Sequence, residues 1–347
     1  MTTLFVAISF AGGALATLAL FQLVRPALGG RMIWPALGAA ALTTLVTSLV
    51  GVLSGVARLD YLLGVSAFTL PVLVLLEAAA IGSGADRVAR WVLMLVWGLV
   101  VFPAATLLPL AFTAPCRFAG CAVVDFGGAL PLFVSAGAYV LLAWAPRRER
   151  ALPTVGGREA LAGVLGFWLA FAVWLASLEA ALDAYVVRIL IAAAVGPASA
   201  ALGWLLVDRL RAVGRPLTRS LGFGFLAGIA ATTSGAVSVS FPWSAVVGAL
   251  AGMLAALIHA AGPLARGSAA PRWGLTVLGA TAVGFLAPPV WGDTVGILFS
   301  AQVGILAAPL MAFLGVAVGS ALLSAPVWVL LRRRQTAHDD QDAAEAA

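Results

Sequence analysis

Apolar residues in this chain gather in long blocks, parted by short stretches rich in arginine, glycine and proline. The blocks run over about 3–24, 32–57, 61–83, 91–112, 125–145, 160–182, 185–207, 219–239, 242–263, 272–290 and 295–331. A helix rises about 1.5 Å per residue, so some twenty residues cross a hydrocarbon layer of about 30 Å. The pattern predicts an all-α polytopic membrane protein with eleven transmembrane helices. The last block has length to spare for a tilted or extended cytoplasmic end. The fifth block carries an aspartate, Asp125, at its mouth, where a carboxylate meets the free N–H groups of a helix start. Gly127, Gly128, Ala136 and Gly137 leave little side chain along it, so neighbouring helices can approach closely.

Composition agrees. Of 347 residues, 63% are hydrophobic and 10% charged, with mean hydropathy +1.08. A soluble chain of this size could not hide so much apolar surface. The 38 glycines and 18 prolines suit membrane helices, where close packing and local breaks are useful. The net charge of +6 does not indicate nucleic acid, because the arginines lie between apolar blocks and are not gathered on one face. Every basic residue is arginine.

The first block has no positive residue before it and is long for a signal core, so it is read as a retained first helix. Eleven spans put the termini on opposite sides. With the N-terminus outside, seventeen arginines fall inside and only three, Arg58, Arg117 and Arg188, fall outside. That bias sets the N-terminus outside and the C-terminus in the cytoplasm. The loop after the fourth span then places Cys116 and Cys121 on an oxidising side. A disulfide and two free thiols both remain open there. Residues 335–347, acidic and alanine-rich, are expected to form a disordered cytoplasmic tail.

Several motifs, in order, resemble the ammonium transporter/Rhesus family. Asp125-Phe126-Gly127-Gly128 followed by Ser135-Ala136-Gly137 looks like that family's Asp-Phe-Ala-Gly-Gly … His-x-Asn-Ala-Gly signature. Gly82-Ser83-Gly84-Ala85-Asp86-Arg87 resembles its Gly-Ala-x-Ala-Glu-Arg helix end. Ala227-Gly228-Ile229, then Phe241-Pro242-Trp243-Ser244-Ala245 and Gly248, resembles its Ala-Gly-Leu … Pro-Trp-x-Ala … Ile-Gly passage. Leu202-Gly203-Trp204 and Gly284-Phe285-Leu286-Ala287 add weaker agreement.

The resemblance implies a membrane domain over 1–334, with two inverted five-helix repeats at about 3–145 and 160–290. A peripheral eleventh helix follows at about 295–331. It further implies a homotrimer with a pore in each subunit, an outer aromatic cage recruiting ammonium, two stacked gate phenylalanines, and a lumen lined by two histidines.

This chain departs from the family at those positions. Phe133 stands at the first histidine, and Arg272 at or near the second. The gate phenylalanines fall at Val72 and Trp174, of which only Trp174 keeps an aromatic. The outer tryptophan matches Thr113, beside Phe112, and the recruiting serine matches Leu178. His259 and His338, the only histidines, lie where neither can substitute. A lumen without imidazole offers dehydrated ammonium nothing in place of its water, whereas a neutral molecule such as ammonia can still pass an open bore.

Membrane carboxylates are the remaining candidates. Glu179 and Asp183 either draw a cation to the outer vestibule, or pair with Arg188 or cap helices. Glu77 either meets substrate or pairs within the bundle. Arg272 either snorkels at the inner interface or plugs the lumen, neutralised by Glu77. Asp125 is read as a cap that shapes the vestibule. Thr232, Thr233 and Ser234 either line the pore or satisfy a helix break, and Trp168 is assigned to lipid or subunit packing.

No enzyme is expected. A Walker loop needs a lysine this chain lacks, no Cys/His metal spacing occurs, and no Ser/His/Asp arrangement is available. No cofactor is implied. The expected partners are the bilayer, two further copies of the chain and a small solute: ammonia/ammonium or a relative. The alternative is a non-conducting relative acting as sensor, scaffold or partner subunit.

Overall fold

The computed structural model describes residues 2–28, 33–55, 58–82, 85, 87–113, 123–142, 157–261, 269–293 and 296–345. The first span is Thr2–Leu28 and the second Ile33–Ser54. The third is in two pieces, Leu59–Ser66 and Thr69–Gly82. The fourth runs from Arg87 to Thr113 through a π-helical turn at Trp97–Val101. The fifth joins a π-helical turn, Leu130–Val134, to Ser135–Tyr139. The sixth to ninth are Gly157–Ser177, Ala184–Leu210, Leu217–Gly235 and Phe241–His259. The tenth, Ala269–Phe285, continues as Ala287–Trp291, and the eleventh is Ala307–Glu345. Among the described residues nine helices are long and apolar enough to cross a membrane. The ten-residue fifth span and the eighth, which ends in Thr232-Thr233-Ser234, fall outside that set. This is a multi-pass membrane protein.

Three elements differ from their sequence-based expectations, each for a local reason. The fifth block is not one continuous helix: loop precedes residue 129, and turns follow Tyr139. Gly128 has φ +72°, a conformation that costs glycine little, and a β-carbon there would come within 2.6 Å of Val65 Cγ1. Pro131 supplies no N–H to the ladder, and the turn opens to π geometry around it. The third span breaks at Ala67 and Phe68, where the Thr69 hydroxyl donates to the Ser66 carbonyl at 2.7 Å. The eleventh helix continues through Glu345 and takes in most of the segment expected to be disordered. Its alanines are strong helix formers, and extending an existing helix carries no nucleation cost.

Close helix contacts use small residues. A β-carbon on Gly248 or Gly252 would collide with the carbonyls of Gly196 and Ala200, so the seventh and ninth spans touch backbone to backbone. The tenth span likewise meets the eighth at Gly284, against Ala231, and the Ser234 hydroxyl donates to the Gly284 carbonyl at 3.0 Å. The Trp168 indole donates to the Ala193 carbonyl at 2.7 Å and packs on Phe225, so it joins the sixth, seventh and eighth spans instead of facing lipid or another subunit alone.

Polar clusters close the bundle at both ends. At the end where the first span starts, here called the N-face, Arg188 pairs with Asp293 and donates to the Val237 carbonyl at 3.1 Å. At the opposite C-face, the buried Asp208 carboxylate accepts from Trp204 Nε1 at 3.1 Å, Ser220 Oγ at 2.6 Å, and Arg215 Nη1 at 2.9 and 3.0 Å. A buried charge is tolerable when its lone pairs are this fully occupied. His259 lies beside this cluster, its ring tilted against that of Phe223 at 4.9 Å between centroids. The eleventh helix is tied to the fifth: Trp328 Nε1 donates to the Tyr139 carbonyl at 2.8 Å, and the Tyr139 hydroxyl donates to the Leu93 carbonyl at 2.9 Å.

Candidate functional site: a vestibule above an aromatic plug

The N-face carries a cavity of about 370 Å³, where the starts of the first and third spans meet the end of the sixth. Thr2, Phe5, Val6 and Ser9 line it from the first span, Arg58, Asp60, Tyr61 and Gly64 from the third, and Ser177 to Ala180 from the sixth. Ser9 and Ser177 face each other with hydroxyl oxygens 2.6 Å apart. Each hydroxyl also lies within hydrogen-bond distance of a helix carbonyl, Phe5 for Ser9 and Trp174 for Ser177. Three contacts share two hydroxyl protons, so the pair retains lone pairs for a donor entering the cavity.

Two carboxylates line the cavity, and their states differ. Asp60 is neutralised by Arg58, 2.5 Å away. Glu179, partly buried beyond the end of the sixth helix, makes no side-chain hydrogen bond or ion pair among the described residues. Burial first, and the nearby Asp183 second, push its carboxyl above the ordinary glutamate value. Asp183 itself caps the seventh span, its Oδ1 accepting from the N–H groups of Tyr185 at 2.9 Å and Val186 at 3.4 Å. Arg188 is engaged with Asp293. Capping therefore describes Asp183, and neither pairing with Arg188 nor capping describes Glu179.

Behind the vestibule lies an aromatic plug. Phe68 sits at the break of the third span, and its ring stacks on Trp174 at 4.2 Å between centroids and 27° between planes. The Trp174 indole is fixed by donation to the Gly64 carbonyl at 2.9 Å. Phe133 approaches Phe68 from the fifth span at 6.5 Å, and Phe167 and Phe171 close in from the sixth at 5.9 and 6.1 Å. Relative exposures of 1% for Phe68, 0% for Trp174 and 6% for Phe133 mean these rings are packed in the protein interior. The ring opposite Trp174 is thus Phe68, one turn before the expected gate position Val72, which is buried in the same core. The break in the third span turns Phe68 inward, and a count along an unbroken helix misses it.

Asp125 frames the plug. Its carboxylate accepts from the N–H groups of Ala129 at 2.6 Å and Leu130 at 2.9 Å, and its carbonyl accepts from the Tyr61 hydroxyl at 3.0 Å. Phe126 N–H and Gly127 N–H donate to the carbonyls of Ser234 and Thr233, tying the fifth span to the end of the eighth. Thr233 Oγ1 returns to the Ile229 carbonyl at 2.7 Å, so these hydroxyls satisfy backbone at a helix end.

The remaining candidates scatter. Leu178 lines the vestibule beside Ser177. Arg272 lies in the first turn of the tenth span at the C-face, half-buried, and its charge is felt by His259. Glu77 is 1% exposed, forms no hydrogen bond or salt bridge to Arg272, and has Arg90 as its charged neighbour. Phe112 and Thr113 end the fourth helix, though their side chains lie outside the described set, as do Cys116 and Cys121. Among the described residues no group of three His, Cys, Asp or Glu side chains is placed to hold a metal. Ser9, Ser177, Asp60, Tyr61 and Phe68 are site residues that the sequence did not single out. Only Tyr61 and Asp60, polar groups opening a membrane span, carried a signal.

No protein-family model and no curated protein matches the sequence. Solved structures do. Mep2 of Candida albicans superposes with a TM-score of 0.75 at 15% identity, over 95% of this chain and 84% of that one. Mep2 of Saccharomyces cerevisiae gives 0.73 at 12% identity, over 94% and 86%. Rh50 of Nitrosomonas europaea, described as one of the Rhesus protein family of channels, gives 0.67 at 15% identity, over 96% and 90%. The fold is therefore the ammonium transporter/Rhesus fold, helical throughout its named elements and with membrane-length apolar spans.

Proposed function

We propose that this chain is a divergent ammonium transporter-like membrane protein. In this reading it draws ammonium to the N-face vestibule and passes ammonia, or a related small solute, through a pore in each subunit. The carrying observation is the unneutralised Glu179 beside the Ser9–Ser177 hydroxyls, directly above the Phe68–Trp174 stack. A carboxylate and hydroxyl lone pairs favour a cation, and the aromatic faces add cation–π attraction. Below the stack, Phe133 offers no proton acceptor, so a species crossing that level must shed its charge first. The same reading takes the domain as 1–334, made of two opposed five-helix repeats, a homotrimer in the cell membrane with its N-face outside.

The filled plug itself favours a second reading, a non-conducting relative that senses or scaffolds. Purified protein in liposomes separates the two. Conduction is expected to give an ammonia-driven rise of internal pH faster than in empty liposomes, and equality with empty liposomes would favour the non-conducting reading. Phe133→His is expected not to raise the flux by itself, because no second imidazole lies in the lumen; a large gain from that single change would overturn the placement of Arg272 at the second histidine.

A further inference from the structure

The vestibule is larger than an ammonium ion requires. A molecule of water or ammonium size claims roughly 30 Å³. The cavity of about 370 Å³ reaches the range in which proteins enclose organic ligands. Its lining is also divided by chemistry. Glu179 and the Ser9–Ser177 hydroxyls supply one negative charge, uncompensated among the described residues, and hydrogen-bond acceptors, since Arg58 already cancels Asp60. Phe5, Val6 and Leu178 supply an apolar wall beside them, and the Tyr61 ring closes another side. A lone ammonium ion would leave that wall in contact with water.

Building on the reading of this vestibule as the cation-facing mouth, we propose that it binds an organic ammonium cation: a charged nitrogen held by Glu179 and the serine pair, with a short hydrocarbon chain laid against Phe5, Val6 and Leu178. Such a ligand is held above the plug and does not permeate. The Phe68–Trp174 stack, fixed by the Gly64 carbonyl, leaves no passage for a chain of several carbons. The ligand therefore occupies the entrance and competes there with ammonium.

The experiment is calorimetric titration of the full chain, in nanodiscs of zwitterionic lipid, with methyl-, ethyl-, propyl- and butylammonium chloride. Each added methylene buried against the wall is expected to tighten Kd about fourfold, the equivalent of about 0.8 kcal/mol. Glu179→Gln, which removes charge from a side chain with no described hydrogen bond, is expected to abolish that binding. Val6→Trp, which fills the apolar side, is expected to flatten the dependence on chain length while methylammonium still binds. 1-Butanol controls for partition into the lipid. Constant or weakening affinity from methyl- to butylammonium, equal binding by Glu179→Gln, or 1-butanol binding as tightly as butylammonium would each overturn the proposal. Ammonia flux in liposomes is independent of it: flux without chain-length preference keeps conduction and removes the organic ligand, and preference without flux does the reverse.

Discussion

At the scale of single residues, the site turns on how one carboxylate is left unpaired. Asp60, Asp125, Asp183, Asp208 and Asp293 each have a guanidinium, backbone N–H groups or both. Among the described residues Glu179 has neither, and burial together with the charge of Asp183 holds its carboxyl above the ordinary range. Only the ionised form attracts a cation, and a raised pKa means the charge is lost at a higher pH than in an exposed glutamate. Capture of methylammonium at the vestibule is therefore expected to be full above that raised value and to fall as pH drops through it, while Glu179→Gln gives no measurable capture at any pH. Titrating methylammonium binding against pH in both proteins checks this; a wild-type profile as flat as the variant's would count against Glu179. Glu179 was singled out in the sequence as a membrane carboxylate, with pairing to Arg188 or helix capping as the alternative. Phe68 was not. Phenylalanine is common in apolar blocks, and only the broken third span gives this one its position over Trp174.

At the scale of elements, the fifth span is the one whose form matters most. It is short, entirely buried from Leu130 to Tyr139, and begins with two backbone N–H groups held by the Asp125 carboxylate. Asp125→Ala removes both acceptors and is expected to cost about 1–2 kcal/mol, in line with other lost helix caps. It should be read as a lower melting temperature in detergent, with Asp125→Asn closer to wild type. An unchanged melting temperature for Asp125→Ala would remove the capping role. The cap could be foreseen from an aspartate and two glycines before an apolar run. The π-helical turns could not, because they follow from which partners the ladder meets: the Trp97 indole, for example, donates to the Ser135 hydroxyl at 3.0 Å across two such turns.

At the scale of the whole molecule, hydrophobic block length alone revealed the all-helical, multi-pass plan, since lipid demands helices of nearly fixed length. What it concealed was the breaks in the third and fifth spans, which turn on the local backbone at Ala67–Phe68, Gly128 and Pro131. The arginine bias further predicts that the N-face lies outside the cell. In a variant lacking Cys116 and Cys121, a cysteine placed at Thr2 is expected to react with a membrane-impermeant maleimide in intact cells, and one placed at Gln341 only after lysis. The reverse pattern would invert the topology, moving the vestibule to the cytoplasmic side.

The eleventh helix has a mechanical consequence. It is unbroken from the Trp328 indole, fastened to the Tyr139 carbonyl, to Glu345, a distance of about 25 Å at helical rise. A rod of that length is a lever arm. A sideways load applied near residue 345 acts as a torque about Trp328, and the first joint to feel it is the last turn of the segment that carries Phe133.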